Sequence, residues 1–141
     1  MNNALEQFVS VYQRLDKHNL DLLHEVYGEA IHFQDPLHEV KGLQQLRRYF
    51  ANMYANVNHC TFDISQQFAF DNHAFLYWTM RFSHPKLNGG NEVSVAGHSF
   101  LQFDQGKVIH HRDYFDVGAM LYRHIPLLGK VIKLVDNKAG S

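Results

Sequence analysis

The sequence predicts an α+β fold in which three N-terminal helices cover one face of a curved antiparallel β-sheet, and the sheet closes into a cone around an apolar pocket. Three observations lead there. Apolar residues recur at helical spacing in three stretches before residue 54, and from Cys60 onward the pattern switches to the alternation of strands. The composition is 45% hydrophobic and 13% aromatic against 19% charged, the profile of a globular domain with an aromatic interior. At 141 residues the chain has room for one such domain and no second.

The elements follow in order. Leu5, Phe8, Val9, Tyr12 and Leu15 mark a first amphipathic helix over about residues 4–17. Asn19 is positioned to cap a second, carried by Leu20, Leu22, Leu23, Val26 and Tyr27 and ending near Gly28. A short strand from Ala30 stops at Pro36, and Gly42 precedes a third helix from about Leu43 to Met53 with Leu46, Tyr49, Phe50 and Met53 on its buried side. Strands are then expected over residues 60–64, 68–70, 74–82, 92–103 and 107–115, with turns at Asp71-Asn72 and Gln105-Gly106 and a loop over residues 85–91. The domain proper is expected to occupy residues 1–118. Residues 119–141 form an apolar and basic tail, broken by Pro126 and Gly129, suited to packing on the domain, on a partner or against an acidic lipid surface.

Several function classes are disfavoured. The formal net charge is −1 and there is no Lys/Arg stripe, which argues against a nucleic-acid partner. Cys60 is the single cysteine, so no internal disulfide forms. The N-terminus lacks a signal-peptide pattern and no window reaches the ~18 apolar residues of a membrane span, so the cytoplasm is the expected location. The eleven histidines show no paired helical spacing, and neither a metal nor a cofactor is expected.

The chemistry-bearing stretch is Lys107 to Asp116, where six ionisable side chains fall in a strand. Alternation puts Ile109, His111, Asp113 and Phe115 on one face and His110, Arg112 and Tyr114 on the other. A carboxylate carried toward an interior is costly unless paired or hydrogen-bonded, so Asp113 is either a structural ion-pair member or a site residue. His111 can orient Asp113 or relay its proton, or be a satisfied core imidazole. Ser99 on the neighbouring strand shares that face if no bulge intervenes. Asp35 before Pro36 is either a turn former or a general base. Trp78 and Phe115 are core rings or a substrate platform.

Phe33-Gln34-Asp35-Pro36, the Gly42 that follows, and Arg112-Asp113-Tyr114-Phe115-Asp116 at the end of the last strand resemble the nuclear-transport-factor-two-like superfamily, in its SnoaL-like branch of polyketide cyclases and ketosteroid isomerases. The resemblance covers about residues 4–116 and excludes the tail. It implies a homodimer formed through the outer face of the sheet, and a small hydrophobic carbonyl compound as ligand. Asp35 falls at the general-base position of the isomerases, and Asp113 resembles the acid–base aspartate of the cyclases. The isomerase oxyanion tyrosine is replaced by Val11, with Tyr12 one residue on, and its acidic donor by Ser99. Asp35, Arg112 and Asp113 reproduce the composition of a limonene epoxide hydrolase site, although neighbours in a strand point to opposite faces. The expected function is a cofactor-free isomerase or cyclase with Asp113, Asp35 and His111 as catalytic residues and Ser99, Trp78, Phe115 and Tyr12 as ligand contacts. The alternative is a non-catalytic ligand-binding or protein-interaction module on the same fold.

Overall fold

A computed structural model describes residues 2–121, 124 and 128–140. Helix α1 (Asn2–Arg14) and a 3₁₀ turn (Leu20–Leu22) running into the short α2 (Leu23–Val26) are followed by β1 (Tyr27–Gln34), β2 (Glu39–Lys41) and α3 (Leu43–Asn56). Four long strands come next: β3 (His59–Phe70), β4 (His73–Ser83), β5 (Val93–Asp104) and β6 (Lys107–Phe115). The chain ends in α4 (Val117–Met120) and α5 (Leu128–Gly140).

The six strands form one sheet in the order β2-β1-β6-β5-β4-β3. The strands β3 to β6 make the expected antiparallel meander. The sheet as a whole is mixed, because β1 lies parallel to β6, a pairing between chain segments more than seventy residues apart that no local pattern announces. Its register sets Phe33 beside His111 and Gln34 beside Arg112, so Asp35 emerges at the level of Asp113. A register shift between Ile64 and Gln66 interrupts the β3–β4 ladder, an irregularity of the kind that bends long strands.

The core lies between the helices and the concave face of the sheet. Leu5, Phe8, Val11 and Tyr12 of α1 and Leu15 just beyond its end are buried, Val11 taking the inner place expected of Val9. From α3, Leu43, Leu46, Phe50 and Tyr54 are buried, while Tyr49 and Met53 are half-buried along its flank. Asn19 does not cap a second helix with its side chain. It turns back, accepting from the Asp16 amide at 2.6 Å and donating to the Arg14 carbonyl at 2.7 Å, and so closes the end of α1. The second helix is correspondingly short, since Tyr27 already has the extended backbone of β1.

The convex face of the sheet is open and aromatic. Phe68, Phe75, Tyr77 and Tyr114 are exposed there, His98 stacks on Tyr114 with centroids 4.9 Å apart, and the Arg112 guanidinium lies over the Tyr114 ring. His32 and His110 stack at 5.2 Å, and burial, then His32, His111 and Arg112, hold His110 below the usual histidine range. Of the tail's apolar positions, Met120 and Leu121 pack on the core, with Asp116 capping α4 through the Gly118 and Ala119 amides. Leu128, Val131, Leu134 and Val135 of α5 are exposed. The tail positions Arg123, Ile125, Pro126 and Leu127 lie outside the described residues. Among the described residues no helix is long and apolar enough to cross a membrane.

Candidate active site

The expected apolar pocket is a cavity of about 420 Å³ bounded by α1, α3, β3, β4, β6 and the turn after β1. Phe33, Phe50, Phe62, Trp78, Met80 and Phe115 give it an apolar wall, into which Asp113 and Asp35 both project. The two carboxylates therefore share one cavity, but their surroundings differ.

Asp113 stands on β6 with its side chain 12% exposed. Ser99 faces it directly across the β5–β6 ladder, whose register shift comes only at Gln102/Phe103, so both side chains lie on the concave side. The Ser99 hydroxyl donates to Asp113 Oδ1, and Trp78 Nε1 donates to the Ser99 oxygen at 2.8 Å. His111 Nε2 lies 2.6 Å from the same Oδ1, and on its other side Nδ1 meets the Tyr27 hydroxyl at 2.7 Å. Tyr27 in turn meets the Tyr12 hydroxyl at 3.0 Å.

This chain of polar atoms runs from Asp113 back to the cavity wall at Tyr12, through a fully buried imidazole caged by Phe8, Tyr12, Tyr27 and Phe33. Its direction is set by the protonation of His111. With Nε2–H donated to Asp113 and Nδ1 bare, Tyr27 must donate to His111 and Tyr12 to Tyr27. With an imidazolium, both imidazole N–H groups donate, Tyr27 donates to Tyr12, and the Tyr12 proton is free for the cavity. Burial, reinforced at Tyr12 by Tyr27 and Asp113, holds both phenols well above the usual tyrosine range, so they act as O–H groups in either state.

Asp35 is engaged differently. Its Oδ1 accepts from the Leu37 and His38 amides at 2.8 and 2.7 Å and from His38 Nδ1 at 3.1 Å, while Oδ2 accepts from the Tyr49 hydroxyl. The bonds to Oδ1 build the turn between β1 and β2, the turn-forming use of an aspartate before proline, and the Tyr49 bond ties that turn to α3. Burial, then the Asp35 charge and hydrogen bond, drive the Tyr49 phenol far up and keep it a donor. Asp35 thus presents lone pairs already occupied by four donors, whereas Asp113 is held through one oxygen.

The other sequence candidates sort by depth. Trp78, Phe115 and Tyr12 line the cavity. His111 and Ser99 are buried behind Asp113 at 0% and 2% exposure and touch it rather than the cavity wall. Arg112 lies on the convex face, so the Asp-Arg-Asp composition does not assemble around one water. Val11 is buried in the core, and Tyr12 is the α1 residue that brings a hydroxyl to the cavity.

Three contributors escaped the sequence reading. Tyr49 shows in the sequence only as one more apolar position on a helix, and its place beside Asp35 is a tertiary fact. Tyr27 reads as the end of a helix and is the first residue of β1. Gly97 did leave a signal, a glycine inside a strand. It sits opposite Trp78 in the β4–β5 ladder, and a Cβ there would lie 2.4 Å from the indole Cη2. The bare backbone lets the indole lie flat on β5 with Nε1 aimed at Ser99.

The SnoaL-like domain family matches residues 8–111. Among solved structures, a candidate SnoaL-like polyketide cyclase from Jannaschia sp. superposes with a TM-score of 0.78 at 12% identity, covering 89% of this chain and 93% of that one. A protein of ketosteroid isomerase-like fold from Catenulispora acidiphila gives 0.75 at 12% identity over 87% and 93% of the two chains. An LEH-like epoxide hydrolase from M. tuberculosis gives 0.67 at 19% identity over 84% and 79%. At these identities the likeness is one of fold. A comparison with curated proteins found no match. With the family match spanning most of the chain and the cone fold beneath it, this protein belongs to the SnoaL-like domain family.

Proposed function

We propose that the protein is a cofactor-free isomerase or cyclase that removes a proton from a carbon beside a carbonyl in a small apolar substrate, with Asp113 as the general base. The observation that carries this reading is the asymmetry of the two carboxylates: Asp35 has Oδ1 committed to its turn and Oδ2 to Tyr49, while Ser99 and His111 both hold Asp113 by Oδ1. Oδ2 is the oxygen that takes the proton. The C–H electron pair moves into a C=C bond, and the carbonyl oxygen becomes an enolate oxygen stabilised by the Tyr12 hydroxyl on the cavity wall, whose proton is free for it when His111 is an imidazolium. Asp113 then returns the proton to another carbon, which is isomerisation. In cyclisation the enolate carbon attacks a second carbonyl within the substrate, and the new alkoxide takes the proton back from Asp113. His111 and Ser99 position the carboxylate and neither touches the substrate.

The test is deuterium exchange. In D₂O the protein should accelerate incorporation of deuterium next to the carbonyl of cyclic β,γ-unsaturated ketones, followed by proton NMR. A ketone that binds, read from the fluorescence of the single tryptophan Trp78, yet exchanges no faster than in buffer, would return the chain to the reading as a non-catalytic binding module.

The working unit is proposed to be a homodimer joined through the convex face, where exposed Phe75, Tyr77 and Tyr114 make a patch unusual for a monomer's surface. Light scattering should give twice the chain mass at micromolar concentration, and Tyr77→Glu combined with Tyr114→Glu should give the monomer. A wild-type monomer overturns the proposal.

A further inference from the structure

A second cavity of about 180 Å³ lies beside the first, lined by Val57, Cys60, Phe82, Leu87 and Leu121 together with four residues that also line the first: Met53, Asn56, Met80 and Met120. The partition between the cavities is therefore made of single side chains. Three of the four are methionines, unbranched and able to change rotamer at little cost, so the partition is one that a ligand can part. The far chamber is apolar. Asn56 is at the shared wall, and the Cys60 thiol, pushed up to about 12 by burial, is neutral there. Nothing in that chamber can take part in acid–base chemistry, and its wall offers no hydrogen-bonding pattern that would select a polar group.

We propose that the second cavity seats an apolar arm of the substrate, so that the substrate is a carbonyl-bearing ring held at Asp113 with an unbranched hydrocarbon chain passing between Met53, Met80 and Met120. The proposal rests on the acid–base reading of the first cavity and adds the substrate class. A water occupies ~30 Å³ in the liquid and a methylene is of similar size, so the chamber holds an arm of about four to six carbons. The apolar arm supplies binding energy away from the reacting carbon, which holds the head in register with Asp113.

The experiment uses 4-alkylphenols from methyl to hexyl, planar molecules whose C–O group and ring imitate an enol, with binding to the full chain read from Trp78 fluorescence. Affinity should rise about fourfold per methylene, the worth of one buried CH₂, until the chamber is full. Leu87→Phe and, separately, Val57→Phe fill the far chamber from its outer side, and each should lower the ratio of hexyl to methyl affinity by about tenfold or more. Two variants are used because either alone can perturb folding, which circular dichroism checks. If 4-methylphenol binds and longer chains gain nothing, or if the gain survives both variants undiminished, the second cavity is not a substrate site and the acid–base reading stands. If the series lengthens as expected and Asp113→Asn changes no member's affinity, the head-group reading falls and the arm site stands. Failure of every member to bind overturns both.

Discussion

Asp113→Asn should lower the enzyme-accelerated exchange of ketone α-protons by about 10²–10⁴-fold, the contribution of a positioned general base. Asparagine keeps the volume and one acceptor oxygen for Ser99 and His111, so the cavity wall and its apolar contacts persist and the ketone should still quench Trp78. What disappears is an oxygen able to hold a proton between two carbons. Ser99→Ala should cost far less, about fivefold, because it removes one donor worth about 1 kcal/mol while His111 continues to hold Oδ1. Asp35→Asn separates the two aspartates. It replaces a carboxylate fed by two backbone amides, His38 and Tyr49, so its main effect should be on the stability of the β1–β2 turn, measured by thermal denaturation. Equal exchange losses for Asp35→Asn and Asp113→Asn, with both variants folded, would move the base to a shared site. An Asp113→Asn variant of unchanged rate would end the catalytic reading.

These expectations depend on geometry that the sequence carried unevenly. The face of β6 was legible because alternation is a local rule: His111, Asp113 and Phe115 fall inward and Arg112 outward, as the period of two requires. The position of Ser99 depended on an unbroken ladder, and the one shift in β5–β6 falls three residues beyond it. The convergence of Asp35 with Asp113 was not legible from pattern. It results from the parallel pairing of β1 with β6, a contact set by which strand edge is free once the meander has formed, and composition has no way to express that. The link from His111 through Tyr27 to Tyr12 was hidden for a different reason. Helix and strand periodicities overlap at Tyr27, where α2 ends and β1 begins with no intervening loop, so the residue counted equally well in either element.

Gly97→Ala should be among the most damaging small substitutions in the sheet, although it adds one methyl group. The new Cβ would stand 2.4, 2.7 and 2.8 Å from three carbons of the Trp78 ring, against 3.4 Å or more in ordinary contact. The ring has to retreat by about 1 Å, and its freedom is small. Phe62 packs on it edge-on with centroids 5.5 Å apart, Phe115 lies beyond at 6.3 Å, and Nε1 is bonded to Ser99. Overpacking of this kind costs ~1–3 kcal/mol, and losing the indole hydrogen bond adds about 1 kcal/mol. For a domain of this size the sum corresponds to a fall in Tm on the order of 10 °C. The displaced indole should also emit at longer wavelength, and Ser99, freed of one partner, should hold Asp113 less firmly and slow the exchange reaction. Trp78→Phe in the Gly97→Ala background is the decisive control, because the smaller ring vacates the space that the methyl needs. The pair should be more stable than the sum of its single changes by 0.5 kcal/mol or more, roughly the least coupling expected of contacting residues. Strict additivity, or a Gly97→Ala variant with wild-type Tm and emission, would mean that Trp78 is not held by the bare backbone of β5 and that Ser99 and Asp113 owe their placement to the ladder alone.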